Sequence, residues 1–212
     1  MTTYRAVIFD LFGTLVAPYQ RWPELIPGFA TLLEIDASSF DLAWTSTAVG
    51  RDTGGFRTAE LAVEHCVQQL GLAATRDQIA RAAALQQHNV RLALTQTRPE
   101  MLHVLTLLRE QGYRTGLISN CDNETVVLWP ETPFLSAFDA TVFSCDMGLM
   151  KPDPRIYALA SERLGVPPSQ TVFIDDNEEF VAAAEAVGMR GIICRDSQTA
   201  VDELQSICLH LP

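Results

Sequence analysis

Four short stretches of the chain carry residue types that can do chemistry together. Asp10 closes the apolar run Val7-Ile8-Phe9, and Gly13 and Thr14 follow directly. Ser119 and Asn120 close a second apolar run, and Asp175 and Asp176 close a third. Lys151, the single lysine of the chain, lies in the turn Gly148-Leu149-Met150-Lys151-Pro152-Asp153-Pro154. Each has a plain alternative. Asp10 can finish a turn, Ser119 can cap a helix, Lys151 can be a solvated surface residue, and the acidic pair can meet the positive end of a following helix. Taken together they say more. Three carboxylates in one crevice stay ionised only beside a cation, and one lysine does not balance them. A small all-oxygen ligand set suits Mg2+. A Mg2+ site next to a carboxylate nucleophile is an arrangement for attacking phosphorus, because the ion shields the anionic phosphoryl group and orients it for in-line attack. Ser119 would then hydrogen-bond one phosphoryl oxygen and Lys151 would neutralise another, with an aspartyl intermediate dividing the transfer into two easier steps.

These residues need a scaffold that brings strand ends together. Strand-like runs at 7–9, 115–118, 141–143, 171–174 and 191–194 alternate with helix-like spacing at 101–109, 154–164, 178–187 and 197–209. Such alternation implies right-handed βαβ units and a parallel sheet. In that layout ligands bind at the carboxyl ends of the strands. Between the first strand and the rest, apolar spacing predicts helices at 22–33, 38–49, 58–70 and 75–94, with Thr58 and Thr75 as N-caps and Gly71 as a stop. The expected fold is α/β, a Rossmann-like parallel sheet core (1–16 and 97–212) with an inserted helical domain (17–96). A glycine-rich stretch at 50–57 reads as a mobile loop. Its Arg51 and Arg57 can meet an anionic substrate, or can be solvated surface residues.

Composition narrows the partners. A formal charge of −11 with no basic run argues against nucleic acid and anionic membranes, and leaves room for a small anionic substrate. Of the 212 residues 48% are hydrophobic, enough for a sizeable core. Five scattered cysteines without a CxxC pair fit reduced thiols, and neither a signal peptide nor a membrane span is expected, so a cytoplasmic location is anticipated. Monomer and homodimer both stay open. The four histidines lack ligand spacing, and Trp22, Trp44 and Trp129 read as packing residues, with Trp22 near the entry to the helical insertion.

In this order, F-D-L-F-G-T-L, L-I-S-N, M-K-P-D-P-R-I-Y and F-I-D-D-N resemble the four motifs of the haloacid dehalogenase-like (HAD) hydrolase superfamily, and the helical insertion is similar to its C1-type cap. The resemblance covers the whole chain. It implies that Asp10 is the nucleophile. It also implies that the Phe12 backbone carbonyl, Asp175 and Asp176 complete a Mg2+ site, and that Thr14, Ser119, Asn120 and Lys151 hold the transferred group. Two departures matter. Family phosphatases carry a second Asp two residues after the nucleophile, as general acid and base, where this chain has Phe12. Losing such a group costs roughly 10²- to 10⁴-fold in rate. Phe12, Tyr157 and Asn177 instead resemble the metal-independent 2-haloacid dehalogenase branch. That branch, however, has a small hydroxyl residue in place of Asp175 and an Asp near Phe180. It also uses a cap arginine for the halide, for which Arg21, Arg51 and Arg57 are candidates. The phosphonate-cleaving branch needs a cap lysine that this chain lacks. Three readings follow: a Mg2+-dependent phosphatase, a haloacid dehalogenase, and a slow or non-catalytic binding protein.

Overall fold

A computed structural model describes residues 4–19 and 23–208. Arg21 and Trp22 lie outside the described residues. Five parallel strands form one sheet in the order β3-β2-β1-β4-β5, where β1 is Ala6–Phe9, β2 Arg114–Ser119, β3 Ala140–Phe143, β4 Thr171–Asp175 and β5 Arg190–Ile193. β1 is central because it is apolar throughout and buried on both faces. Val7 and Phe9 enter one hydrophobic layer; Ala6 and Ile8 enter the other. The parallel register pairs Phe9 with both Leu117 and Ile174, so the next residues of β1, β2 and β4 emerge at one edge.

Helices between the strands cover both faces. α6 (Pro99–Glu110) and α11 (Ser197–Cys208) pack on the Val7 side. α9 (Pro154–Leu164) and α10 (Glu178–Ala186) pack on the Ile8 side. The polar stretch after β2, where no element was expected, contains α7 (Asn123–Leu128), which starts on an Asp122 cap. A further short helix, α8 (Ser144–Met147), follows β3 and stops at Gly148, whose φ is 64°.

Between β1 and α6 lie α1 (Leu25–Leu33), α2 (Ala37–Ser46), α3 (Ala48–Asp52), α4 (Ala59–Gln69) and α5 (Arg76–Thr95). α1, α2, α4 and α5 share a hydrophobic cluster built on Leu25, Phe29, Phe40, Trp44, Val63, Cys66 and Ile79. The Thr58 hydroxyl accepts from the Leu61 amide, and Thr75 forms a capping box with Gln78. Where the chain leaves and re-enters the sheet layer, the Ala17 amide donates to the Gln96 carbonyl at 2.8 Å and the Arg98 amide to Leu15 at 2.9 Å. The stretch expected as a loop at 50–57 is partly helical, since α3 runs through Gly50 to Asp52. Gly50 serves packing there: a Cβ on it would meet the Phe56 ring at 2.7 Å. Gly54, with φ 75°, lies so close to α8 that a Cβ would come within 2.1 Å of the Cys145 carbonyl oxygen. That part of the stretch is a packed turn. Among the described residues no helix is long and apolar enough to cross a membrane, and all five cysteines are free and buried.

One contact that seats the helical block is titratable. Glu124 on α7 accepts from the Ala59 amide at the start of α4, at 2.7 Å. Burial, reinforced by the charge of Asp122, pushes its carboxyl up from 4.5 to about 7. The folded state therefore holds this proton more tightly than the unfolded chain does. The associated stability is complete below pH 4.5 and is lost as pH rises through about 7. Glu124→Gln keeps an acceptor and removes the titration. Denaturant unfolding across this range should show a smaller stability loss for the variant than for the wild type; parallel curves would contradict this.

Candidate active site

The turn after β1 brings three acids to one place. The Asp10 amide donates to the Ile174 carbonyl at 2.9 Å, which continues the β1–β4 register and sets Asp10 beside Asp175. Oxygens of Asp10, Asp175 and Asp176 lie within 4.8 Å of one another. Asp10 and Asp175 are buried and Asp176 is exposed. The chain turns tightly enough for this because Gly13 has φ 95°, and a Cβ on it would sit 2.1 Å from the Asp176 carboxylate. Asp175 spends its other oxygen on the Asn177 amide at 2.8 Å, and Asn177 itself caps α10 by accepting from Glu179. The acidic pair is thus not the cap of that helix.

Lys151 is 1% exposed, so it is not a surface residue. Its ammonium donates to Asp10 Oδ1 at 2.5 Å and to Asp175 Oδ2 at 2.6 Å. The rings of Phe180 and Phe173 lie 5.0 and 5.7 Å from it. Burial works against its charge, but Asp10 and Asp175 outweigh that and hold its pKa above the ordinary value. The lysine does not satisfy the cluster. Burial pushes Asp10 up to about 7, with Lys151 opposing and Asp175 adding to the rise. Asp176 is raised as well, by burial and by Asp175. Two unit charges about 4 Å apart interact by about 4 kcal/mol at an effective dielectric near 20. Lys151 draws on both Asp10 and Asp176, and Arg98 on Asp176, yet burial and the charge of Asp175 outweigh them at both carboxyls.

The other expected residues divide into two groups. Ser119 ends β2 fully buried, and its hydroxyl has no oxygen or nitrogen partner; the Cys121 thiol lies beside it. It does not cap a helix, since Asp122 takes that role for α7. Thr14 is also fully buried without an oxygen or nitrogen partner, against the Cys194 thiol. Asn120, expected to touch substrate, grips the backbone of Lys151 and also lines the cavity described below. Its Oδ1 accepts from the Lys151 amide at 2.8 Å and its Nδ2 donates to the Lys151 carbonyl at 2.9 Å. The tyrosine expected from the dehalogenase-like pattern, Tyr157, is buried and donates to the Phe180 carbonyl at 2.9 Å, which fixes α9 against α10. Arg57 is exposed and lies outside the cavity described next.

A cavity of about 320 Å³ separates these loops from the helical block. Phe12, Asn120 and Cys121 line it from the sheet side, and Ala48, Arg51 and Asp52 from α3. Phe12 also packs edge-on against Tyr19, ring centroids 5.4 Å apart. Arg51 is fixed: its guanidinium stacks 4.1 Å over Trp44 and donates to the Trp44 carbonyl and the Thr47 hydroxyl, while its buried Nε has no partner. Gln86 of α5 donates to Asp122 at 2.7 Å and leaves its own Oε1 buried without a partner. Neither Asp52 nor Gln86 stood out in the sequence, because nothing in their spacing signals a site.

A family model described as haloacid dehalogenase-like hydrolase matches residues 4–188. The chain is 29% identical to mouse acyl-CoA dehydrogenase family member 10 over 99% of its own length and 20% of that protein's. It is 26% identical to (S)-2-haloacid dehalogenase of Pseudomonas putida, covering 100% of this chain and 93% of the relative. It is 33% identical to glyceraldehyde 3-phosphate phosphatase of Methanothermobacter thermautotrophicus, over 54% of this chain and 52% of that one. In fold it is similar to a HAD family enzyme of Bacteroides thetaiotaomicron crystallised with magnesium and inorganic phosphate, with TM-score 0.65 and 21% identity over 90% of this chain and 93% of the neighbour.

The Gly13 contact makes a local test. Gly112 has φ 82° and open space around it, so Gly112→Ala carries only the conformational cost, roughly 1–2 kcal/mol. Gly13→Ala adds the collision with Asp176 to a similar strain. Urea unfolding should show the larger loss for Gly13→Ala; equal losses would mean that Asp176 is free to move away.

Proposed function

Because the chain belongs to the haloacid dehalogenase-like hydrolases, we propose that it is a Mg2+-dependent phosphomonoesterase acting on a small anionic substrate, with residues 17–96 serving as its cap. The observation that carries this reading is the under-neutralised cluster. Burial, with the charge of Asp175 adding to it, pushes Asp10 toward its protonated form against the pull of Lys151, and a protonated carboxyl is no nucleophile. Hard oxygen donors from Asp10, Asp175 and Asp176 within 4.8 Å fit a divalent cation, and the Phe12 carbonyl would join them. When bound, Mg2+ supplies the positive charge that keeps Asp10 ionised and lets an anionic phosphoryl group approach it.

The residues of the chain then divide the work. An Asp10 oxygen attacks phosphorus, the ester P–O bond breaks, and an aspartyl-phosphate forms. Lys151 neutralises charge on the transferred group, and Asn120 holds Lys151 in place through its backbone. The unpartnered Ser119 hydroxyl donates to a phosphoryl oxygen. Water then attacks phosphorus, the Asp10–phosphorus linkage breaks, and phosphate and free Asp10 are returned.

Phe12 and the full-length likeness to the Pseudomonas dehalogenase support a second reading, in which Asp10 displaces halide from a 2-haloacid without metal. One pair of assays separates the two. We expect phosphate release from p-nitrophenyl phosphate that EDTA abolishes and Mg2+ restores, and loss of turnover by at least 10³-fold in Asp10→Asn, on the order of what removing a covalent nucleophile costs. Chloride release from 2-chloropropionate, unaffected by EDTA, would favour the dehalogenase instead. Without any substrate, Mg2+ should raise the melting temperature of the wild type and not that of Asp175→Asn/Asp176→Asn.

A further inference from the structure

The phosphatase reading leaves one proton without a donor. An alkoxide leaving group must be protonated as its bond to phosphorus breaks, and the residue two after the nucleophile is Phe12, which has no proton to give. The Phe12 ring nevertheless lines the cavity next to Asn120, so the position from which family phosphatases supply the proton opens on this space. Across it, from the last residue of α3, Asp52 lines the same space.

We propose that Asp52, on the helical block, is the general acid and base of the reaction, replacing the carboxyl that Phe12 lacks. This rests on the phosphomonoesterase reading. In the first half-reaction the Asp52 carboxyl gives its proton to the departing alkoxide as the P–OR bond breaks and the Asp10–phosphorus bond forms, releasing ROH. In the second half the Asp52 carboxylate takes a proton from water as the water oxygen bonds to phosphorus and the Asp10–phosphorus bond breaks. Asp10 leaves as carboxylate, and Asp52 ends protonated, as it began.

The surroundings suit both roles. Burial lifts the Asp52 carboxyl from 3.8 to about 6; the charge of Asp122 adds to this and Arg51 opposes it. A group with that pKa is present in both protonation states near neutrality. Asp122 stays in place because Gln86 and Thr125 hold it, and Arg51 is locked over Trp44, so neither neighbour swings in to form a tight pair with Asp52. The Cys121 thiol, also in the cavity wall, is pushed well above its ordinary value by burial and offers no competing anion. Gln86 and Arg51 also line the cavity, and the buried Gln86 Oε1 and Arg51 Nε have no hydrogen-bond partner.

The test uses leaving-group dependence. An aryl phosphate such as p-nitrophenyl phosphate needs no acid to expel its phenolate; a panel of alkyl phosphates does. Asp52→Asn should lower kcat/KM for alkyl phosphates by roughly 10²- to 10⁴-fold and for the aryl phosphate far less. In the wild type kcat/KM for the alkyl esters should decline as pH rises above about 6, and this limb should vanish in the variant. Charge on Asp52 is unfavourable in the folded protein at neutral pH, so a neutral isostere should not unfold it. If its melting curve nevertheless shows misfolding, Asp52→Glu is read instead. It should retain the alkyl-ester activity with a displaced pH limb, and an unmoved limb would overturn the assignment. Equal losses on both substrate classes, or no loss on alkyl esters, would also overturn it. So would a wild type confined to aryl phosphates, since it would have no working acid. If the wild type hydrolyses no phosphate ester at all, the phosphomonoesterase reading fails first and takes this inference with it.

Discussion

The structure turns on one buried ammonium held between two carboxylates from adjacent strands. Lys151 reaches Asp10 at 2.5 Å and Asp175 at 2.6 Å with almost no solvent around any of the three. Burying such a group costs several kcal/mol per ion, and close ion pairing with further hydrogen bonds is what offsets it. The surrounding architecture can be understood as meeting that demand. Asn120 clamps the lysine backbone from the neighbouring β2 loop. Phe173 and Phe180 wall the ammonium with aromatic faces. Gly13 clears room for the third acid. Replacing such a cluster with apolar residues of similar volume is often neutral or stabilising in other proteins. Fold stability alone therefore gives little reason to keep three acids around one lysine.

Sheet topology explains why these groups meet here. From β1 the chain order runs outward through β2 to β3 on one side and through β4 to β5 on the other. Parallel strands end at the same edge, and the direction of winding reverses next to β1, so the crevice falls between β1 and β4. Asp10 continues β1 and Asp175 ends β4 at that crevice. The long helical insertion leaves the chain immediately after the first acid, and its re-entry is hydrogen-bonded to its exit through Ala17, Gln96, Leu15 and Arg98. The insertion can therefore cover the crevice without disturbing the register that built it.

How much of this was legible depended on distance along the chain. Acids at the ends of short apolar runs are visible because a buried parallel strand has few polar residues and its last one stands out. The N-caps at Thr58 and Thr75 are visible because they use contacts three residues long. The Asn120–Lys151 clamp was not legible, since it joins residues 31 positions apart through backbone atoms that any residue type would offer. The stretch around Gly50 misled for a related reason. Glycine signals a loop when its freedom is used, but Gly50 lies in a helix and is small because the Phe56 ring occupies the space a side chain would need. Arg57, read from the same stretch, is exposed, whereas Arg51 is ordered by Trp44, a partner seven residues earlier. Asp52 and Gln86 take their meaning only from how the helical block packs on the sheet.

That packing has a chemical consequence. Phe12 gives the sheet side of the cavity an apolar ring where family phosphatases have a carboxyl, and that ring packs edge-on against Tyr19. On the assignments proposed above, the sheet would carry the nucleophile and the helical block the acid. Neither half is then complete without the other. The two are joined by the Glu124–Ala59 contact, by the Gln86–Asp122 contact and by the close approach of Gly54 to Cys145. A loosened block would leave Asp10 able to attack but unable to expel a poor leaving group. Selection among substrates would then depend on whether the alcohol portion lets the block settle with Asp52 within reach, so that specificity and proton supply rest on the same helix.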